Sequence, residues 1–203
     1  MAGNALILAS ASPRRQELLA RAGLVFEVLP AHVDESPFPD EEPLIHASRV
    51  AASKAQAIAR ARLDAWVLGA DTVVVVDRQI LGKPQDAACA RAMLERLSGR
   101  THSVITGLCL VAPEGSDVGP CMEAVITEVD FRTIRQGEIT AYISTGEWNG
   151  KAGGYAAQGI AAAFITSIRG SYTNVVGLPL AEVLVLLDRV GAPGADFSKG
   201  LPS

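Results

Sequence analysis

Leu6-Ile7-Leu8-Ala9-Ser10-Ala11-Ser12-Pro13-Arg14-Arg15-Gln16-Glu17-Leu18-Leu19 passes from a short apolar run into a helix, and no glycine lies between them. Leu6 to Ala9 has strand length. Ser12 is a helix-capping type, and Pro13 suits the first helical position because its missing N–H needs no partner there. The helix is expected to close at Gly23. Arg14 and Arg15 then stand in the first turn, where the helix dipole already carries positive partial charge and disfavours cations. An anion would remove that conflict. Serine hydroxyls, free helix N–H groups and two guanidiniums are together what a phosphate-bearing ligand needs. Taken alone, the same residues also read as a solvated basic turn, so the rest of the chain has to decide.

Working outward, Val25 to Leu29 reads as a strand, and Ala31 to Pro37 begins a polar, proline-rich loop holding Asp34 and Glu35. Leu44 to Leu63 is an alanine-rich helix with Val50, Lys54, Ala57, Ile58 and Ala61 close to one face. Trp66 to Val76 is a valine-rich buried strand, turned back through Asp77-Arg78-Gln79 toward Ile80-Leu81. A helix from Asp86 to Leu97 precedes a strand from Ser103 to Ala112, a loop from Pro113 to Pro120 and a returning strand from Cys121 to Thr133. Gly137 to Ser144 reads as helix. Thr145 to Gly159, with five glycines, is a loop long enough to argue for a role. A last strand from Ala161 to Ile168, a helix from Leu180 to Val190 and a frayed tail from Gly191 to Ser203 complete the chain. Strands alternating with helices, with one clear hairpin, predict an α/β protein on a mixed sheet, with two lobes flanking a cleft.

With 203 residues, 49% of them apolar and 20% charged, the chain has the makeup of a globular protein with a real core. No apolar run has bilayer-spanning length, and the N-terminus lacks a secretory pattern, so a cytoplasmic protein without a membrane partner is expected. Cys89, Cys109 and Cys121 form no CxxC pattern and are expected to be reduced and structural. A net charge of −4 with no basic run disfavours nucleic acid as partner and favours a small anionic ligand.

Asp71, inside the apolar Gly69 to Val76 run, costs free energy unless it is paired, hydrogen-bonded or metal-bound. The hairpin centred on Asp77 is expected to return Lys83, in Leu81-Gly82-Lys83-Pro84, toward it. A carboxylate beside a lysine suits a phosphate-and-metal site. Glu35 is the second candidate carboxylate, because hard divalent cations prefer oxygen ligands and bridge carboxylates to phosphates; on local sequence it also reads as a solvated loop glutamate, as Asp34 does, and only the resemblance below separates the two. His102, at the start of a strand, is read as a hydrogen-bonding hairpin residue before it is read as a proton shuttle.

These landmarks resemble the Maf family of nucleoside triphosphate pyrophosphatases over nearly the whole length. They are Ser10 to Arg15, Val33-Asp34-Glu35, the helix with Lys54, Gly69 to Thr72, Leu81 to Pro84, Ser98 to Val104, Lys151 to Gly159 and Asn174 to Pro179. The resemblance implies a single domain over residues 1–203, with a mixed, elongated, twisted sheet flanked by helices as in inosine triphosphatase-like folds. It implies cleavage between the α and β phosphates, giving monophosphate and pyrophosphate. Asp71 would be the proton acceptor and, with Glu35, the holder of a divalent cation, Mg2+ or Mn2+. Ser10, Ser12, Arg14, Arg15, Lys54 and Lys83 would bind phosphate. Arg14, Thr72 and Gln158 correspond to positions tied to nucleotide preference, and this combination resembles the branch acting on dTTP and UTP. The Gln158 amide offers both the donor and the acceptor that a thymine or uracil edge requires. A homodimer is left open.

Two departures touch the loop around the base: Glu147-Trp148-Asn149-Gly150, and Ala157 where a larger aliphatic is usual. The alternatives are a 7-methyl-GTP-type pyrophosphatase and a nucleotide-binding cell-division regulator without significant turnover. A nucleotidyltransferase is a third, disfavoured because Ala9 to Arg15 lacks the glycine-rich phosphate loop.

Overall fold

The structure, a computed structural model, describes residues 5–194. It contains a seven-stranded mixed sheet with helices around it. The strands are β1 (Leu6–Leu8), β2 (Glu27–Val28), β3 (Trp66–Val76), β4 (Gln79–Leu81), β5 (Thr101–Val111), β6 (Cys121–Phe131) and β7 (Ile165–Arg169), in spatial order β2-β1-β3-β5-β6-β7 with β4 on β3. The helices are α1 (Pro13–Arg21), α2 (Pro43–Ala59), α3 (Ala87–Leu97), α4 (Gln136–Ser144), α5 (Tyr172–Val176) and α6 (Leu180–Arg189). The chain forms two compact units. The first takes the chain up to Asp71, Thr106–Ala124 and everything from Gly177; the second takes Thr72–Ile105 and Val125–Val176.

In the first unit β1 lies parallel to both β2 and β3, with Ile7 opposite Glu27 and Leu6 opposite Trp66. Its three residues are all buried, which matches a continuous apolar run in a parallel sheet. Pro13 opens α1 as expected, and Gly23 closes it at φ 73, a left-handed backbone that glycine adopts without a Cβ penalty. Ser12 stands at the N-cap, yet its side chain makes no cap bond. The core under α2 consists mostly of small side chains, Ala9, Ala51, Ala55, Ala65, Val67 and Cys109 with Ile7. Small residues let helix and sheet backbones approach closely. A Cβ on Gly69 would collide with the Ala51 carbonyl and lie 2.8 Å from the Ala55 nitrogen; one on Gly107 would lie 2.6 Å from the Ser48 nitrogen.

In the second unit the β3–β4 hairpin turns through Asp77 and Arg78, at φ 52 and 61, the signature of the type I′ turn that matches strand twist. Its register pairs Val76 with Gln79 and Val74 with Leu81. Behind it lies a core including Leu94, Leu97, Val129, Phe131, Tyr142, Tyr155 and Phe164. Asn174, fully buried, donates its amide to the Val104 carbonyl at 3.0 Å, the Val125 carbonyl at 3.2 Å and Thr127 Oγ1 at 2.9 Å.

Several elements differ from expectation. The strand expected over Val25 to Leu29 shrinks to Glu27–Val28, because it is an edge whose residues are exposed and which pairs only with the short β1. The helix expected to reach Leu63 stops at Ala59. The strand expected from Ala161 begins at Ile165; Ile160–Phe164 is 3-10 helix, in keeping with the poor strand propensity of its alanines. The short α5 carries no periodicity long enough to announce it. Of the tail expected over Gly191 to Ser203, residues 195–203 lie outside the described residues.

Candidate active site

The strand-to-helix junction after β1 is built around Arg15. This guanidinium is buried; its Nε donates to the Gly177 carbonyl at 2.8 Å, and one terminal nitrogen donates to Ser10 Oγ at 3.1 Å and to the Ala70 carbonyl at 2.9 Å. Arg15 thus ties the junction to the residue before Asp71, a framework role that its side-chain type alone did not reveal. Burial lowers its pKa, the attraction of Asp71 opposes that shift, and neighbouring Arg14 adds to it. Arg14 is half-buried, and burial lowers its pKa as well. Two cations that burial works against make an environment in which an anion is welcome. Ser10 Oγ also accepts from the Ser12 N–H at 3.3 Å, which sets the bend between strand and helix.

Asp71 ends the first unit's share of β3, is buried, and finds its partner in α2. Lys54 Nζ lies 2.7 Å from Asp71 Oδ1 and 2.7 Å from Glu35 Oε1. The ammonium expected to meet phosphate is therefore engaged by the two carboxylates, whose combined charge it half neutralises. The cost of burying this carboxylate is offset by that pair. The sequence held a signal for the pairing. Gly69 is two residues before Asp71 and so on the same strand face, and a glycine there admits a helix backbone close enough for Lys54 to reach.

Among the described residues no group of three or more His, Cys, Asp or Glu could hold a metal ion. Asp71 and Glu35 nonetheless share one cation, so their oxygens converge on a common point. Two carboxylates completed by phosphate oxygens and water is the donor set that Mg2+ accepts, since it seldom uses an all-protein cage.

The second unit carries the other candidates. Thr72 is half-buried and Lys83 exposed, each two residues beyond the Val74–Leu81 pair on its own arm of the hairpin. The glycine loop is docked on that hairpin. Gly153 donates its N–H to the Gly82 carbonyl at 3.0 Å, and with φ 67 its Cα faces Val74, where a Cβ would sit 2.9 Å from a methyl. Gln158 is exposed at the far end of the loop. There Glu147 fixes the backbone: its carboxylate lies where a Gly159 Cβ would be, and Oε2 accepts from the Ile160 N–H at 3.1 Å. Neighbouring Trp148 donates Nε1 to the Ile143 carbonyl at 3.0 Å.

His102 is buried, with Nε2 2.8 Å from the Tyr155 hydroxyl and its ring edge-on to Phe131. Burial pulls its pKa down to about 4, so the neutral imidazole holds Tyr155 and with it the loop. The structural reading of this histidine is the one its surroundings support. A histidine depressed in the folded state binds fewer protons than in the unfolded chain over the interval between the two values. Stability should therefore decline as pH falls from about 6.5 to about 4. Melting temperature against pH measures this, and His102→Gln should flatten that part of the curve.

A family model described as Maf-like protein matches residues 5–190. The chain belongs to the Maf family. It is 50% identical over 194 residues to a dTTP/UTP pyrophosphatase of Citrifermentans bemidjiense, covering 96% of this chain and 100% of the relative. Identity to a protein of the same name from Paramagnetospirillum magneticum is 50%, covering 92% and 97%, and to one from Caulobacter vibrioides 48%, covering 94% and 97%. Among solved structures, a HAM1 protein from Coxiella burnetii shares the fold at a TM-score of 0.50 and 15% identity, over 91% of this chain and 98% of that one. The Maf fold on this chain is thus the mixed α/β architecture expected from the sequence.

Proposed function

We propose that this Maf chain is a nucleoside triphosphate pyrophosphatase, one domain over residues 1–203, that hydrolyses dTTP and UTP to the monophosphate and pyrophosphate. The observation that carries the reading is the Lys54 ammonium bridging Asp71 and Glu35, in the same unit as a basic strand-to-helix junction. The names of the relatives support the substrate class.

Phosphate-anhydride hydrolysis leaves a protein little covalent work, so positioning and charge compensation dominate. Water attacks the α-phosphorus, its oxygen forms the new P–O bond, and the bond to the bridging oxygen breaks to release pyrophosphate. Asp71 takes the proton of that water. Lys54 holds Asp71 and Glu35 in register and limits their repulsion of the incoming phosphates. Arg14 and Lys83 compensate triphosphate charge, and Ser10 and Ser12 donate to phosphate oxygens at the junction. Arg15 contributes its charge and, through its carbonyl contacts, the position of the backbone leading into Asp71. Asp71 and Glu35 would hold a divalent cation, Mg2+ or Mn2+, which would supply charge neutralisation at the phosphate oxygens.

Arg14, Thr72 and Gln158 are assigned to base discrimination, with the Gln158 amide reading the carbonyl and N–H of the pyrimidine. Free nucleotides as substrates fit a cytoplasmic setting, and no described helix is long and apolar enough to cross a membrane.

Pyrophosphate release measured across the nucleoside triphosphates, 5-methyl and 7-methyl forms included, with Mg2+ and Mn2+ in turn, tests the reading. dTTP and UTP should lead. Gln158→Ala should cost them on the order of 10–100-fold in kcat/KM, the worth of an unmade hydrogen bond in a desolvated site. A preference for 7-methyl-GTP would overturn the base assignment, and tight UTP binding without turnover would favour the regulator.

A further inference from the structure

The segment from Ala31 to Glu42 has no regular structure, and Glu35 on it is 41% exposed, so packing of its own side chain does little to place that carboxylate. The backbone on either side is nevertheless held. Asp34 Oδ1 accepts from the Ser36 N–H at 2.9 Å, closing a tight turn around Glu35. Arg49, on α2, donates to the Ser36 carbonyl at 3.0 Å. The same guanidinium forks onto Glu41, Nε to Oε1 at 2.6 Å and a terminal nitrogen to Oε2 at 2.8 Å. Its flat face covers the Phe38 ring with the central carbon 4.0 Å from the centroid.

Glu41 is the other end of the fastening. Its side chain is only 6% exposed, it accepts from the Phe38 N–H at 3.0 Å, and it lies 3.0 Å from His46 Nδ1, itself buried on α2. Asp40, at φ 55, turns the chain so that Glu41 faces back toward Phe38. The Arg49 bond, outweighing the opposing effect of burial, holds the Glu41 pKa down at about 2, so it is ionised at any pH where the enzyme works. A bidentate arginine–carboxylate pair with a buried carboxylate is among the strong and geometrically demanding contacts in proteins. Here it joins two backbone points of one loop to one helix.

That helix is also the one that presents Lys54, whose ammonium lies 2.7 Å from Glu35. One rigid element therefore supplies both the cation that Glu35 faces and the guanidinium that holds its neighbour Ser36.

We propose that Arg49 and Glu41, backed by His46, form a strap that sets Glu35 against Lys54 and Asp71, which makes them positioning residues for the hydrolytic step. The proposal rests on the role given to Glu35 above. Neither Arg49 nor Glu41 needs to touch substrate; they act by removing the freedom of the loop before the nucleotide arrives.

The test compares Arg49→Met, Arg49→Lys, Glu41→Gln and Glu35→Gln, alone and as the Arg49→Met/Glu35→Gln pair, with UTP as substrate. Amide hydrogen exchange at Ser36 and Phe38 is a second readout, made without nucleotide or metal. Arg49→Met should lower kcat by up to ~10²-fold, the scale of an ångström misplacement, while KM moves far less. It should speed exchange at Ser36 and Phe38 with α2 still protected, and Arg49→Lys should fall between it and the parent. In the Glu35→Gln background the added Arg49→Met should cost nothing further, since both changes disable one device. Should Arg49→Met not fold, Glu41→Gln keeps the side-chain shape and carries the same comparison.

Parent-like kcat in the strap variants, or losses that multiply in the double variant, would overturn the strap while crippled Glu35→Gln left the hydrolytic reading standing. Normal turnover by Glu35→Gln would overturn both the strap and the role of Glu35. A parent protein that releases no pyrophosphate from any nucleotide would overturn the hydrolytic reading itself, with the exchange data still deciding whether Arg49 holds the loop.

Discussion

Asp71→Asn is expected to lower pyrophosphate release from UTP by roughly 10²–10⁴-fold, the range over which a positioned proton acceptor contributes. The substitution keeps the shape of the side chain and an oxygen for Lys54, so the fold should persist. What it removes is the basic oxygen proposed to take the proton of the attacking water, together with half of the negative charge facing the Lys54 ammonium. Binding of UTP should change much less than kcat, because the groups assigned to phosphate and base stay in place. Single-turnover measurement of pyrophosphate, beside a thermal melt of the same preparation, makes the comparison. Near-normal turnover in folded protein would take Asp71 out of the mechanism.

Gly69→Ala should destabilise the protein through a single added methyl group. Two effects oppose each other. Replacing a glycine narrows the unfolded ensemble and stabilises by roughly 0.4–1 kcal/mol where the backbone angles allow alanine. Against this, the new Cβ would collide with the Ala51 carbonyl and lie 2.8 Å from the Ala55 nitrogen and 2.9 Å from its Cβ. These are atoms of a helix packed on both Gly69 and Gly107, not the ends of flexible side chains, so α2 as a whole must lift. Overpacking of this kind costs about 1–3 kcal/mol, and contacts this short against backbone put it toward the upper end, so the clash wins by roughly 1–2 kcal/mol and lowers the melting temperature by roughly 2–8 °C. Lifting α2 also draws Lys54 away from Asp71, so kcat should drop in whatever fraction folds. Gly137→Ala is the control: it lies in α4, a Cβ there meets nothing within 4 Å, and it should stabilise by about 0.5–1 kcal/mol. A Gly69→Ala protein that melts with the parent would mean that the close approach of α2 is not required.

The legible parts of the fold were those that local chemistry dictates. Trp66 to Val76 is a strand over its full expected length because eleven consecutive residues are apolar or interrupted only by Gly69, Asp71 and Thr72. The Asp77-Arg78 turn and Gly23 after α1 each sit where expected, and the helix expected from Asp86 begins at Ala87, with the Asp86 carboxylate capping it by accepting from the Cys89 N–H. The elements that depart from expectation are those whose extent depends on neighbours. β2 is short because only β1 pairs with it, and the alanines after Ile160 take a 3-10 turn where a strand was expected.

For the candidate site, the sequence offers residue types and not their partnerships. Asp71 called for a partner, and Lys83 was the natural choice because a hairpin links the two in sequence. The partner that the first unit provides is Lys54, seventeen residues earlier, across a helix-to-sheet contact that depends on Gly69. Arg15, whose charge reads as that of a phosphate ligand, donates to the carbonyls of Ala70 and Gly177, the latter 162 residues away. Arg49 and Glu41 gave no signal at all, since a charged pair eight residues apart around a proline-rich loop has no periodicity to betray it.

The sequence by itself determined the alternation of strands and helices, the hairpin and the resemblance to the Maf family, because these follow from backbone preferences and side-chain chemistry acting within a few residues. Only the tertiary structure decided which charge meets which. An ion pair is made wherever packing brings two groups within about 4 Å, and packing here is set by missing side-chain volume at Gly69 and Gly107, a property of two surfaces in contact that no single stretch of chain displays.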